Sequence, residues 1–436
     1  MQKGGDLMEK LEVIQQIAMD KLKYKFNSLS KRFSILEENN PIEHINYRIK
    51  KKSSIAEKLH KKNLPVTEEN IRNLNDVIGV RVVCSFLDDV KILITTIAKD
   101  PEISILNCKN YIESPKSNGY MSYHLNIEFP VLINETVEFV KAEIQVRTIA
   151  MDMWASLEHK IWYKKGIELP EDMLNEISKM ADFCQRVDES LNQTARKFLF
   201  KSQMKKITYP FMKDRRYYFS RLKYETALKL TEEKIQSIIE EYRLSGNPNP
   251  IEHIKSRLKT DDSIGLKLQR EQKAFTLESI EENINDFAGI RIVCSFISDV
   301  EEIISLLKAD GTMEVIEEKD YITYPKESGY KSYHLLVNVP VYFQNKVEKV
   351  KVEIQIRTIA MDMWASLEHK LCYHKEVDMP TKLELKRIAN VVEGIDGNME
   401  KIISQSRKLV AQKNKQRVRK REVPNQEISN ITDDES

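Results

Sequence analysis

Fourteen consecutive residues, Arg-Thr-Ile-Ala-Met-Asp-Met-Trp-Ala-Ser-Leu-Glu-His-Lys, occupy positions 147–160 and recur unchanged 210 residues later at 357–370. The match continues upstream through Glu143-Ile144-Gln145 and Glu353-Ile354-Gln355, Tyr120 and Tyr330, Arg81 and Arg291, and residues 41–45 and 250–254, with the offset drifting by one residue. The chain is therefore an internal duplication of a whole unit. Its period is far above that of solenoid repeats, so each copy is expected to carry its own core and its own site. A length of 436 residues fits two domains of roughly 200 each. The expected boundaries are 1–208 and 209–415, with 416–436 as a disordered polar tail.

With 41% hydrophobic and 31% charged residues, the chain can bury two ordinary cores beneath a strongly ionic surface. No apolar run approaches the ~20 residues that span a bilayer, and Met1-Gln2-Lys3-Gly4-Gly5-Asp6 lacks the apolar stretch of a secretory signal. The expected location is the cytoplasm, without a membrane partner. Five cysteines, odd in number and without a C-x-x-C pair, argue against a disulfide framework or a zinc site. A net charge of +2 gives no global polyanion signal. The basic charge is local: residues 407–421 hold eight Lys and Arg. Two readings stand for that stretch, a solvated helix end leading into a tail, or an arm that binds RNA or a partner.

Each copy opens with a helical pattern, residues 7–38 and 216–243, followed by Asn40-Pro41 and Asn249-Pro250, which should stop the helix. Residues 77–86 and 287–296 read as buried strands, 125–129 and 335–339 as further strands, and 137–146 and 347–356 as alternating ones. Helices follow at 152–164, 171–201 and 381–413. Mixed strands flanked by helices predict an α+β or α/β unit, twice.

Four clusters carry chemistry. In the first, Arg48, Lys50, Ser54 and Lys58 repeat at identical spacing as Arg257, Lys259, Ser263 and Lys267. Ser54 and Glu57 fit a capping box at a helix start, an end whose free N–H groups favour phosphate; Leu266 removes the box from the second copy. In the second cluster, Asp76 and Asp286 precede buried strands that carry Arg81 and Arg291, and such an acid suits Mg²⁺. Asp76 and Arg81 are five apart, so either Gly79 marks a bulge or only one of the two faces the site. In the third, a Pro/Gly loop leads into Tyr120, Ser122 and His124, which alternate onto one strand face. In the fourth, Lys141, Glu143, Gln145 and Arg147 face one side of a strand and Ala142, Ile144 and Val146 the other. That ionic side is either solvated or a site where Glu143 meets Asp76 around a metal.

Taken in order, R-x-K-x3-S-x3-K, D-x-x-G-x-R, Y-x3-P-K-x-N-G-Y-x-S-x-H, E-I-Q-[VI]-R-T and M-D-x-W-A-x-L-E-H-K resemble the synthetase domain of the RelA/SpoT alarmone family, most closely its small single-domain members. The resemblance covers roughly residues 10–205 and 215–415. It implies an α+β fold of two tandem nucleotidyltransferase-like domains, each a mixed β-sheet surrounded by helices. It also implies Mg²⁺-dependent transfer of the β,γ-pyrophosphate of ATP to the 3′-hydroxyl of GDP or GTP. By position, Arg48, Lys50, Ser54, Lys58 and Arg81 would hold ATP, with Arg48 and Arg81 flanking adenine. Asp76 and Glu143 would carry Mg²⁺, Glu143 also taking the proton. Lys116, Asn118, Tyr120, His124 and Gln145 would hold the acceptor, Tyr120 stacking on guanine. The second set is Arg257, Lys259, Ser263, Lys267 and Arg291 for ATP, Asp286 and Glu353 for the metal, and Lys326, Tyr330, His334 and Gln355 for the acceptor.

Two departures stand out. Asn110 replaces the usual loop Asp in the first copy; in the second, Ser328 replaces the usual Asn, and Asp261-Asp262 sits among the phosphate-binding cations. A lost hydrogen bond to a base edge costs on the order of 1–3 kcal/mol, so weaker or altered acceptor use is expected of the second copy. None of the eight histidines is followed by Asp, so the His-Asp hydrolase motif of longer family members is not expected. The small members that the chain resembles assemble as symmetric oligomers through their helices, so the resemblance implies that the tandem chain is itself a fused pair. The rival readings are the same transfer to an adenine nucleotide or to tRNA, and a non-catalytic nucleotide or RNA sensor.

Overall fold

The computed structural model describes residues 2–36, 40–133, 135–162, 171–198, 208–343, 346–372 and 378–421. Each repeat is built on a five-stranded mixed sheet. In the first, β1 (Ile42–Ile49), β2 (Ile78–Cys84), β3 (Ser104–Asn110), β4 (Tyr123–Ile133) and β5 (Thr136–Thr148) lie in the order β1-β2-β5-β4-β3. Only the β2–β5 pair is parallel, and it sits at the centre. The second sheet repeats this with β6 (Ile251–Leu258), β7 (Ala288–Cys294), β8 (Glu314–Asp320), β9 (Tyr333–Phe343) and β10 (Lys346–Thr358). Alternation places Ala142, Ile144 and Val146 in the core from one face of β5, and Val352, Ile354 and Ile356 from β10.

One face of each sheet is closed by that repeat's own helices. The long α1 (Gln2–Leu36) and α4 (Leu87–Ala98) pack on the first sheet, with Leu22, Phe26, Leu93 and Phe129 in their shared core. In the second repeat α7 (Arg215–Ser245) and α10 (Ile297–Ala309) take those places. Short α2 (Lys52–Lys61) and α3 (Glu68–Arg72), and their counterparts α8 (Asp261–Arg270) and α9 (Leu277–Asn283), connect β1 to β2 and β6 to β7.

The remaining helices do not respect the repeat boundary. The identical fourteen residues form the end of β5 and α5 (Ile149–Trp162), and the end of β10 and α11 (Ile359–Cys372). With α6 (Glu171–Phe198) and α12 (Met379–Arg421) they build one apolar core that contains Met153, Trp154 and Leu191 alongside Met363, Trp364 and Met399. The expectation of a wholly separate core in each copy is thus corrected: each has its own core on one side and half of a common core on the other. At about 2 kcal/mol for each large apolar side chain fully buried, that common layer holds the repeats together by many such increments.

Reciprocal polar contacts border this layer. Lys160 donates to the carbonyl of Asn249 at 3.0 Å and pairs with Glu252 at 2.6 Å, while Lys370 donates to the carbonyl of Asn40 at 3.0 Å and pairs with Glu43 at 2.7 Å. Each repeat uses the same residues against the other, the pattern of a two-fold interface within one chain.

Several local expectations change. The helix α7 stops at Gly246, whose φ of +74° a side chain would resist, before the Asn249-Pro250 pair is reached. Ser54 lies inside α2, whose N-cap Lys51 makes no side-chain cap bond; in the second copy, where no box was expected, Thr260 caps α8 by accepting from the Ser263 N–H. Strands β3 and β8 were not foreseen, because these edge strands are exposed along nearly their whole length and carry no apolar alternation. The expected tail begins too early: α12 runs to Arg421, and residues 422–436 lie outside the described ones. No helix among the described residues is long and apolar enough to cross a membrane.

Candidate active site

In the first repeat β1 ends against the start of β2. The Lys50 N–H donates to the Val77 carbonyl at 2.8 Å, which sets the Lys50 amine 2.5 Å from Asp76 Oδ2. From the last turn of α2, Lys58 reaches the same oxygen at 2.6 Å. Asp76 precedes β2, so strand alternation does not apply to it, and no register shift occurs at Gly79. That resolves the spacing question: Arg81 faces the site from the strand and Asp76 from the loop before it. Gly79 matters through its missing side chain, since a Cβ there would lie 3.2 Å from Arg48 Cγ and Nε. Burial pushes the Asp76 carboxyl up, but hydrogen bonds from Lys50 and Lys58 outweigh it and leave the group below its ordinary range.

On the neighbouring strands the acceptor-side residues form one hydrogen-bonded chain. Arg147 donates to the Tyr120 hydroxyl at 2.5 Å and to Gln145 Oε1 at 2.9 Å. The Tyr120 hydroxyl lies 2.8 Å from His124 Nε2, and His124 Nδ1 lies 3.2 Å from Glu143 Oε1. Gln145 donates to Glu143 Oε2 at 2.6 Å. With its oxygen accepting from Arg147, the tyrosine is free to donate to Nε2, which leaves the Nδ1 proton for Glu143. Burial raises Glu143, but His124 and then Gln145 bring it below the usual range, against an opposing push from the Asp76 charge. Glu143 is therefore ionised at neutral pH.

Lys116 hangs over two rings, 4.7 Å from the Tyr111 centroid and 4.6 Å from that of Tyr120. Asn118 Oδ1 accepts from the Tyr120 N–H at 3.2 Å, and its amide donates to Glu158 at 3.3 Å. Gly119 turns this loop at φ +82°.

The second repeat reproduces the arrangement. Lys259 and Lys267 hold Asp286, pushed down to about 2 as their charges outweigh its burial. Glu353 meets His334 at 3.2 Å and Gln355 at 2.7 Å; Tyr330 meets His334 at 2.9 Å, and Lys326 lies 5.0 Å from the Tyr330 centroid. The replacement of Asp by Asn110 changes little, because Asn110 Oδ1 accepts from the N–H groups of Ile112 and Glu113 as Asp320 Oδ1 does from those of Ile322 and Thr323. Asp261 is taken up by Tyr217 at 2.6 Å and Arg221 at 3.0 Å. Ser54 makes no side-chain hydrogen bond among the described residues, whereas Ser263 accepts from Thr260 at 2.8 Å.

Two buried groups were quoted in motifs but given no role. Arg147, 3% exposed, donates to Asp152 at 3.0 Å, and Arg81 pairs with the same carboxylate at 3.2 Å. Arg357 and Arg291 meet Asp362 at 3.1 and 2.9 Å. Asp152 thus ties the strand bearing Arg81 to the chain that ends on Glu143. The available signal was position: Arg147 closes the alternating ionic face of β5, and Asp152 lies in the duplicated fourteen residues.

Asp76 Oδ1 is buried without a hydrogen-bond partner, because both lysines lie on Oδ2. An orphaned carboxylate oxygen beside a second ionised carboxylate fits a hard cation. Among the described residues no group of three or more His, Cys, Asp or Glu could hold a metal, so these two carboxylates would share the ion with water and phosphate oxygens, as Mg²⁺ prefers.

A family model, the region found in RelA/SpoT proteins, matches residues 47–168 and again 256–378, more than half of the chain. The chain belongs to the RelA/SpoT family. Both matches take in the site residues described above and each sheet from the end of its first strand onward. This RelA/SpoT chain is similar to GTP pyrophosphokinase YwaC of Bacillus subtilis (strain 168), 47% identical over 180 residues, 41% of this chain and 86% of that one. It is also similar to GTP pyrophosphokinase YjbM of the same organism, 30% identical over 185 residues, 42% and 87% of the two. Among solved structures it superposes on small alarmone synthetase 1 from Bacillus subtilis bound to its product pppGpp, with TM-score 0.42 and 29% identity over 44% of this chain and 97% of that one.

Proposed function

We propose that this protein is a GTP pyrophosphokinase with two sites, transferring the β,γ-pyrophosphate of ATP to the 3′-hydroxyl of GDP or GTP to make an alarmone. The observation that carries this reading is the pairing, in each repeat, of a carboxylate ringed by lysines with an ionised glutamate fixed by a histidine and a glutamine. Relatives named GTP pyrophosphokinase at 47% and 30% identity support the same reaction.

Transfer of this kind needs little covalent help from protein; it needs positioning and charge neutralisation. Arg48, Lys50, Ser54, Lys58 and Arg81 bind the donor, with the two lysines facing its phosphates. Tyr120 stacks on the acceptor base and Asn118 reads its edge, Lys116 and His124 meet the acceptor phosphates, and Gln145 lines the acceptor side. Glu143 accepts the proton of the 3′-hydroxyl as the oxygen attacks the β-phosphorus of ATP and AMP leaves. A Mg²⁺ held by Asp76 and Glu143 would neutralise charge on the phosphates. The second site uses Arg257, Lys259, Ser263, Lys267, Arg291, Asp286, Glu353, Lys326, Tyr330, His334 and Gln355 in the same roles. It has Ser328 where Asn118 makes two hydrogen bonds, so we expect weaker use of GDP there.

The test is transfer of label from γ-labelled ATP to GDP, GTP, AMP or bulk tRNA, with Glu143→Ala, Glu353→Ala and the double variant. Label on a guanine nucleotide, reduced by each single change and abolished by both, is expected. Label only on AMP or tRNA would reassign the acceptor. ATP and GDP binding without transfer would leave a sensor.

A further inference from the structure

The donor-side cavity of each repeat is completed by a carboxylate from the other repeat. In the first, about 280 Å³ is lined by Asn46, Arg48, Gly79, Arg81, Gln145 and, reaching across from β6, Glu252. In the second, about 360 Å³ is lined by Lys255, Arg257, Gly289, Arg291, Gln355 and, from β1, Glu43. The six residues named in one lining have their counterparts in the other, with Lys255 where Asn46 stands; the second cavity also extends to Asp286, Glu353 and Lys370.

That exchange alters what the crossing carboxylate presents. Lys160 and Ser295 both approach Glu252 Oε1, at 2.6 Å each, and Glu252 Oε2 has no hydrogen-bond partner among the described residues. Lys370 and Ser85 likewise approach Glu43 Oε1, at 2.7 Å each, but Lys255 reaches across to Glu43 Oε2 at 3.1 Å. Asn46 lies opposite Arg81 in the sheet and Lys255 opposite Arg291, so each shares a strand face with the arginine two residues on, Arg48 or Arg257. Both glutamates are held below the ordinary carboxylate range, where facing lysines overcome their burial.

We propose that the crossing glutamate reads position 6 of the donor purine, so that the first pocket selects a 6-aminopurine and the second, through Lys255, accepts a 6-oxopurine. A carboxylate oxygen with an open lone pair accepts from the exocyclic amine of adenine and repels a keto oxygen. An ammonium group has only donors; it occupies the glutamate oxygen and offers a remaining N–H to a keto group. The inference rests on the reading of these cavities as donor sites.

The test is equilibrium binding of ATP and of inosine triphosphate to the full chain with Mg²⁺ and no acceptor. Two classes of inosine triphosphate site are expected, separated by about tenfold or more, the scale set by a lost charged hydrogen bond. Asn46→Lys should convert the weak class to the strong one, and Lys255→Asn the reverse. Glu252→Gln, whose amide can donate, should also raise inosine triphosphate affinity at the first site, which guards against a swap variant that folds poorly. One class of site in the parent protein, an affinity ratio that neither swap moves, or no binding of either nucleotide would overturn the inference. Because binding is read without turnover, this pattern without transfer to GDP would sink only the proposed reaction, and transfer without this pattern would sink only the base readout.

Discussion

His44 and His253 stack face to face across the boundary between the repeats, their ring centroids 4.0 Å apart and their planes 17° from parallel. His44 lies 3.7 Å from Asp152 and His253 4.0 Å from Asp362. Each imidazole therefore stands beside the carboxylate that anchors Arg147 or Arg357. A continuous polar path runs from Glu143 through Gln145, Arg147 and Asp152 to the histidine pair, and on through Asp362, Arg357 and Gln355 to Glu353.

Acid should weaken this junction. His253 is pushed down to about 3, first by burial and then by His44, with Asp362, Asp152 and Glu252 opposing. A depressed histidine means that the unfolded chain takes up a proton near pH 6.5 that the folded chain refuses until about 3. Its contribution is present above pH 6.5 and is lost as the pH falls, by roughly 2 kcal/mol at pH 5. Asp188 and Asp396, raised to about 7 by burial, act in the opposite sense over the same range, so the reference must be a variant. Urea unfolding at pH 7 and 5 should show a smaller loss for His253→Phe than for the parent; equal losses would refute the assignment.

Removing one cross-repeat cation should cost far more than a surface charge. Lys160→Met leaves Glu252 half-buried beside Ser295 without its counter-ion, a loss of about 3 kcal/mol by analogy with other broken buried pairs. Adding Glu252→Gln should restore part of that stability in denaturant unfolding. If the double variant is weaker than the single, the ion pair is not what Lys160 supplies.

The acceptor loop is pinned from behind. Gly119 has φ +82°, and a Cβ there would stand 2.4 Å from Ala181 Cβ on α6. Left-handed backbone alone costs a side chain roughly 1–2 kcal/mol, so Gly119→Ala should raise the acceptor KM of the first site about tenfold. Measured in a Glu353→Ala background, that change should appear; in a Glu143→Ala background the remaining second site should be unaffected.

The two sites should also differ in their demand for metal. Asp76 offers an unpartnered Oδ1, while both oxygens of Asp286 are paired with lysines, one at 2.8 Å to Lys267. A metal at Asp286 must displace a lysine first. Chelation should abolish transfer at both sites, and titration back should restore the Glu353→Ala protein at a Mg²⁺ concentration roughly threefold or more below that needed by Glu143→Ala.

Much of the site was legible before any coordinates. Glu143, Gln145 and Arg147 fall on one side of β5 because strand side chains alternate, whereas the meeting of Asp76 with Lys50 and Lys58 was not legible, because it depends on how a strand end, a short helix and a loop fold back on one another. The exposed strands β3 and β8 were not legible, since an edge without a buried face leaves no hydrophobic period. The capping box was misread because Ser54 and Glu57 carry the right spacing while the chain begins its helix two residues earlier, at Lys52.

The sequence by itself determined that there are two α+β units of one family, which residues lie on each site face, and where the copies depart from one another. These follow from periodicity and from a repeat that can be compared with itself. Only the tertiary structure decided that α5, α6, α11 and α12 merge into one core, that His44 meets His253, and that Glu43 and Glu252 each line the other repeat's cavity. Local pattern records which face of an element is apolar or charged. It does not record which distant element that face will meet, and here the partner is the chain's own second copy.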